Sequence, residues 1–248
     1  MEKLPAVQDT VRMIENIAFG EVINESGQRE RLQLDLYLPA GAEAQPLATI
    51  LWFHGGGFRP GNDKRQVYIP RFARSFAEAG YACVAPDYRL RADPLADLAG
   101  TVSDAVADGR LALDWVRAQG PQHGLDPARL VLAGGSAGGM LVSNLVHDPR
   151  QPVDALKDGI FAVLDLWGTP AVNDRLFPQV SRTCPPTFIV HGTADQLVPY
   201  ENSRELAEEL KAAGIAHQLL TLPGAPHTPL AHFDEIRAAI ARFLNLHG

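Results

Sequence analysis

Ser136 stands within Gly134-Gly135-Ser136-Ala137-Gly138-Gly139, a Gly-x-Ser-x-Gly pattern between the apolar run Leu130 to Ala133 and a helix-forming stretch that includes Leu141, Val142 and Leu145. A tight strand-to-helix turn lifts its central hydroxyl clear of the neighbouring chain, and side chains at the flanking positions would clash with the crowded backbone. The chemistry open to such a hydroxyl is nucleophilic attack. The helix that follows points its unpaired N–H groups at the same spot, where they favour developing negative charge. The pattern taken alone also describes a plain turn; its setting between a strand and an apolar helix favours the nucleophile.

Attack on an acyl carbon needs donors for the oxyanion and a base for the serine proton. The apolar run Leu47 to Phe53 ends in His54-Gly55-Gly56-Gly57, where backbone N–H groups can approach a substrate closely. With Ser136 as nucleophile, the expected oxyanion donors are the N–H groups of Gly56, Gly57 and Ala137. His54 is expected to brace the glycine loop through hydrogen bonds. A phosphate-cradling loop is disfavoured, because no Gly-Lys-Ser/Thr follows and the spacing of a dinucleotide fingerprint is absent. The base and its carboxylate are expected late in the chain, in the order Ser, acid, His. His191-Gly192-Thr193-Ala194-Asp195 and Pro223-Gly224-Ala225-Pro226-His227 both follow strand-like runs, which points to Asp195 and His227. Helix capping is the bland alternative for Asp195, and Asp165, near the end of the run Ile160 to Leu166, is the rival acid. His217, His232 and His247 are expected to pack or face solvent.

These residues need a scaffold that brings distant loops to one edge. Ile17 to Ile23 and Leu32 to Leu38 look like antiparallel edge strands joined through the turn Asn24 to Gln28, preceded by a partly helical stretch. Leu47 to His54 is apolar enough for a strand covered on both faces. Strands then alternate with helices to the end of the chain. In the helix within Leu95 to Ala118, residues Val102, Val106, Gly109, Leu113 and Val116 form one sheet-facing stripe, and Gly109 implies close packing. The alternation predicts an α/β fold with a mostly parallel sheet, an antiparallel N-terminal edge and helices on both faces. Ligands in such sheets bind beyond the carboxyl ends of the strands, where every candidate residue lies.

Composition fits one domain over residues 1–248: 46% of residues are hydrophobic and 21% charged, with no low-complexity run. A net charge of -7 with dispersed Lys and Arg argues against nucleic acid and anionic membranes as partners. No apolar run has membrane-spanning length, and Glu2, Asp9 and Glu15 interrupt the start where a signal peptide is apolar, so a cytoplasmic location is expected. Two cysteines, Cys83 and Cys184, exclude a disulfide framework and an all-cysteine metal site. The chemistry requires no metal or cofactor.

With these motifs in place, the chain resembles the α/β-hydrolase superfamily over nearly its whole length. His54-Gly55-Gly56-Gly57 together with the Ser136 turn is similar to the esterase and lipase branch that includes hormone-sensitive-lipase-like carboxylesterases, as are Pro86-Asp87-Tyr88-Arg89-Leu90 and Gly124-Leu125-Asp126-Pro127-Ala128-Arg129. Two departures stand out: Gly135 replaces the acidic residue common before the serine, and there is little room for a cap domain. The lengths resemble compact acetyl and feruloyl ester hydrolases and kynurenine formamidase-like hydrolases. With only Trp167 to Pro186 between two late strands, a short lid and an open pocket for short acyl groups are expected. Phe58, Trp167 and Leu197 are candidate pocket walls, with core packing the alternative for each. The resemblance implies a serine carboxylesterase acting on a small-molecule ester. An arylformamidase-like amide hydrolase and a non-catalytic ligand-binding protein on the same scaffold are the alternatives, and a homodimer is compatible with all three.

Overall fold

A computed structural model describes residues 10–41, 45–147, 158–177 and 179–248. Eight strands form one sheet: β1 (Val11–Ile23), β2 (Arg29–Pro39), β3 (Leu47–Phe53), β4 (Ala82–Pro86), β5 (Leu125–Gly135), β6 (Ile160–Leu166), β7 (Thr187–Gly192) and β8 (His217–Leu222), in the spatial order β1-β2-β4-β3-β5-β6-β7-β8. β1 and β2 are antiparallel to their neighbours, and β4, β3, β5, β6, β7 and β8 run parallel. The mostly parallel sheet with an antiparallel N-terminal edge is therefore present.

Alternation along β3 explains the two-sided core. Leu51 and Phe53 point to one face, with Val102, Val106 and Leu113 of α2 (Leu98–Gln119) and Leu141 and Leu145 of α3 (Ala137–His147); α4 (Tyr200–Ala212) joins them through Leu206 and Leu210. Ile50 and Trp52 point to the other, against Phe72 and Phe76 of α1 (Tyr68–Glu78) and Ile236, Ile240 and Phe243 of α5 (Phe233–His247). Period-two alternation with both faces covered makes the strand apolar throughout. The stripe on α2 is buried as its spacing predicts, and a Cβ on Gly109 would sit 3.1 Å from Leu141 Cδ2, so the helix packs closely there.

The expectation of helix before Ile17 is corrected where the structure describes it. Val11 to Asn16 continue β1, while residues 1–9 lie outside the described residues. Ile14 pairs with Leu36 and Ile17 with Leu34, so Glu15 and Asn16 on one strand oppose Asp35 alone on the other. This bulge separates the apolar pair by a helix-like three residues. Asn16 takes φ 58° there, and its N–H donates to Asp35 Oδ1 at 2.8 Å. Among the described residues no helix is long and apolar enough to cross a membrane.

The connection after β4 runs toward the carboxyl edge of the sheet and is held by charge. Arg89 donates through its guanidinium and its own N–H to Asp108 of α2, at 2.8 Å for Nη2 to Oδ1. The Asp108 carboxylate is fully buried, and burial pushes its carboxyl above the usual range despite the Arg89 bonds. Two residues on, the Arg91 N–H donates to Phe58 O at 2.9 Å, which ties this connection to the glycine loop after β3. Removing the guanidinium would leave the buried carboxylate without its cation and with the backbone N–H of residue 89 as a remaining donor. Arg89→Ala is expected to lower the unfolding free energy by about 3 kcal/mol in urea titrations; a loss under about 0.5 kcal/mol, the scale of an ordinary surface change, would contradict this role.

Candidate active site

Ser136 occupies the link between β5 and α3 with φ 55°, a left-handed conformation that serine rarely adopts. The surroundings hold it there. Its N–H donates to Leu166 O at 2.9 Å and its carbonyl accepts from Met140 N at 2.9 Å. Tyr68, buried in α1, donates through its hydroxyl to Gly135 O at 3.0 Å. The flanking glycines answer a steric demand: a Cβ on Gly134 would fall 2.2 Å from Gly138 O, and one on Gly138 would fall 2.1 Å from Phe53 O. No side chain fits at either place.

The sheet brings the two later loops to this point. His227, after β8, places Nε2 at 2.9 Å from Ser136 Oγ and Nδ1 at 2.7 Å from Asp195 Oδ2. Asp195, after β7, has a fully buried side chain whose Oδ1 accepts N–H bonds from Leu197 at 2.8 Å and Val198 at 3.0 Å. Burial pushes its carboxyl up, but the bonds from His227 and from the Val198 and Leu197 N–H groups outweigh that and hold it below the usual carboxylate range. Its partners favour the ionised form.

The glycine loop lies against the serine. A Cβ on Gly55 would meet Gly135 O at 2.9 Å and Ser136 Cβ at 3.1 Å, and Gly56 and Gly57 take φ 98° and 61°. Two amides the sequence reading did not single out anchor the loop. Gln66 Oε1 accepts the Gly55 N–H at 2.8 Å, and Asn62 Nδ2 donates to Arg59 O at 3.0 Å and Gly56 O at 3.3 Å. His54 is fully buried, with Nδ1 donating to Gly55 O at 2.8 Å and its ring stacked on Tyr88 at 4.2 Å. Burial lowers its affinity for a second proton. It braces the loop by stacking as much as by hydrogen bonding.

A cavity of about 580 Å³ opens over the serine, with Gly56, Gly57, Ser136, Ala137 and His227 in its lining. Its walls are mainly apolar, formed by Phe58, Val67, Leu95, Leu98, Met140 and Leu197, and Arg59 and Asp174 are its charged members. Phe58 and Leu197, two of the candidate pocket walls, lie in this lining. Trp167 does not. It is fully buried in the core, edge-on to Tyr68 at 5.7 Å, and its backbone N–H donates to Val190 O at 2.7 Å. A residue with no exposed surface cannot line an open pocket; Gly168, its neighbour, takes that place.

Asp165, the rival acid, makes no bond to His227: its Oδ1 accepts from Gly168 N at 3.1 Å, and its Oδ2 lies within hydrogen-bond distance of Ser143 Oγ and Thr169 Oγ1. His217 bonds its own strand entry at Ile215 O, His232 pairs with Glu235, and His247 packs on Phe243. Cys83 is fully buried and burial pushes its thiol up to about 12, so it is inert. Among the described residues no cluster of three or more His, Cys, Asp or Glu side chains could hold a metal ion.

Comparisons with known proteins agree with this architecture. The BD-FAE family model matches residues 34–148, and the prolyl oligopeptidase family matches residues 169–246. Thermogutta terrifontis esterase 2, in a form phosphorylated by paraoxon, superposes with a TM-score of 0.74 at 26% identity, covering 99% of this chain and 98% of that one. The probable carboxylic ester hydrolase LipM of Mycobacterium tuberculosis is 26% identical over 84% of this chain and 54% of its own length, and the esterase LipC of the same organism is 25% identical over 86% and 61%. The chain thus spans a little over half the length of these curated relatives. The chain has the α/β-hydrolase fold, and in motif and sequence it is similar to the esterase and lipase branch of that superfamily.

Proposed function

We propose that the protein is a serine carboxylesterase that hydrolyses small to moderate esters through an acyl-enzyme. The observation that carries this reading is the unbroken line of hydrogen bonds from Ser136 Oγ through His227 to Asp195, at 2.9 and 2.7 Å, at the floor of an open, mainly apolar cavity. Ser136 Oγ attacks the ester carbonyl carbon while His227 Nε2 takes the hydroxyl proton. The carbonyl electrons move to oxygen, which the N–H groups of Gly56, Gly57 and Ala137 hold. Collapse of the tetrahedral species breaks the bond to the alcohol, which leaves with the proton from His227. Water then repeats the sequence on the acyl-enzyme and releases the acid. Asp195 stays ionised throughout, orients the imidazole and stabilises its charged form.

Phe58, Met140 and Leu98 suit an apolar group of modest length, and the exposed side chains of Val67, Leu95 and Leu197 extend that surface to the mouth. The esterases named above among its relatives support the bond type. A cytoplasmic setting belongs to the same reading, in keeping with two buried cysteines that are not joined in a disulfide.

Ser136→Ala is expected to lower p-nitrophenyl acetate turnover by at least about 10⁴-fold in a protein that still folds; undiminished turnover would remove the assignment. Across p-nitrophenyl esters, kcat/KM is expected to be highest from acetate to butyrate and to fall for palmitate, and a maximum at palmitate would contradict the short-acyl reading. Preference for N-formylkynurenine over every short aryl ester in kcat/KM would move the bond from ester to amide.

A further inference from the structure

The triad carboxylate carries a second histidine. His191, at the end of β7, is fully buried, and its Nε2 lies 3.0 Å from Asp195 Oδ2 and 2.9 Å from Val198 O. A carboxylate and a carbonyl only accept, so Nε2 must bear a hydrogen. Asp195 Oδ2 is also the atom that His227 Nδ1 approaches at 2.7 Å, so one oxygen serves two imidazoles. Behind His191 the bonds continue inward. Its Nδ1 is 2.7 Å from Ser203 Oγ, Ser203 Oγ is 2.8 Å from Thr169 Oγ1, and Thr169 Oγ1 is 2.8 Å from Asp165 Oδ2. All four side chains are buried. None of them touches the cavity, yet together they connect the rival acid to the triad.

We propose that His191 is a positioning residue for Asp195, and that Ser203, Thr169 and Asp165 fix its tautomer from behind. This rests on the reading of Ser136, His227 and Asp195 as a catalytic triad. One arrangement of hydrogens satisfies the whole chain without adding charge: Asp165 Oδ2–H donates to Thr169, Thr169 donates to Ser203, and Ser203 donates to His191 Nδ1. His191 is then neutral, with its one N–H at Nε2, aimed between Asp195 and Val198. Burial favours this state by holding the Asp165 carboxyl above its usual range. The state has a catalytic consequence. A neutral His191 steers Asp195 Oδ2 by a hydrogen bond while leaving the carboxylate its full charge for the imidazolium that forms on His227. A charged His191 would spend that charge on the wrong ring.

The test is kinetic and spectroscopic, on the full chain with p-nitrophenyl acetate. His191→Phe is expected to lower kcat about tenfold to a hundredfold, the scale of one charge-assisted hydrogen bond, with KM within about threefold of wild type. The low-field proton resonance of His227 Nδ1–H should shift or broaden in the same variant. His191→Gln, which can return an N–H near the Nε2 position, should recover most of kcat. Asp165→Asn should stay within about threefold of wild type, because it keeps the donor toward Thr169 that this arrangement requires. Ser203→Ala leaves the ring in place, covers the case in which His191→Phe fails to fold, and should cost kcat about threefold to tenfold with KM unchanged.

Folded His191→Phe or Ser203→Ala with wild-type kcat and an unmoved resonance would overturn the proposal, as would His191→Gln as impaired as His191→Phe. Asp165→Asn as impaired as His191→Phe would overturn the hydrogen assignment behind it. Ser136→Ala separates the two levels: full activity there refutes the triad itself, whereas an inactive Ser136→Ala beside an unaffected His191→Phe leaves the triad standing and removes the positioning role.

Discussion

A hydrogen bond of 2.9 Å joins Ser136 to His227 across 91 residues of chain, and it exists only if β5 and β8, separated by β6 and β7, end at the same edge of the sheet. Parallel pairing supplies that condition. Each right-handed crossover returns the chain to the same end, so loops distant in sequence gather beyond the carboxyl ends. Registers from Gly135 with Leu166, through Leu166 with Val190, to Gly192 with Leu222 carry the alignment across the four strands. Contacts too close for a side chain then fix the serine's height above the sheet: Gly138 against the end of β3, and Gly168, whose Cβ would sit 2.3 Å from Ser136 O. Ser136 is positioned by backbone packed on backbone, the least deformable material in the fold.

The polar groups around Ser136 form a graded set. Ser136 and His227 face the cavity, Asp195 sits behind them fully buried, and His191, Ser203, Thr169 and Asp165 continue into the interior. Buried polar groups are costly unless bonded, and here each has its partner at 2.7 to 3.0 Å. The glycine loop on the other side is built in the same manner, with Gln66 and Asn62 bonding its backbone so that Gly56 and Gly57 can hold left-handed conformations open to the cavity. Rigidity behind the site complements openness before it.

Much of this was legible in the sequence because it is written in local patterns. The Gly-x-Ser-x-Gly turn, the three glycines after β3 and the apolar runs of the central strands each reflect a constraint acting on a few neighbouring residues. β6 coincides with the run Ile160 to Leu166 for that reason. What stayed hidden depends on contacts between distant residues. Trp167 follows a strand end, as pocket residues do, but its left-handed φ of 45° turns the ring into the core beside Tyr68. The bulge at Asn16 broke the period of β1 and imitated a helix. Gln66 and Ser203 have no local signature at all. His191 could have been noticed, since it stands four residues before Asp195 at the end of a buried strand, but its partners across the fold appear only in three dimensions.

The central claim is that Ser136 is the activated hydroxyl and that His227 activates it. Reaction of the intact protein with paraoxon, followed by peptide mapping, tests both at once. The account predicts a single diethylphosphoryl adduct on Ser136, formed at least about a hundredfold more slowly in His227→Ala. A folded protein that carries the adduct elsewhere, or that labels equally fast without His227, would contradict it.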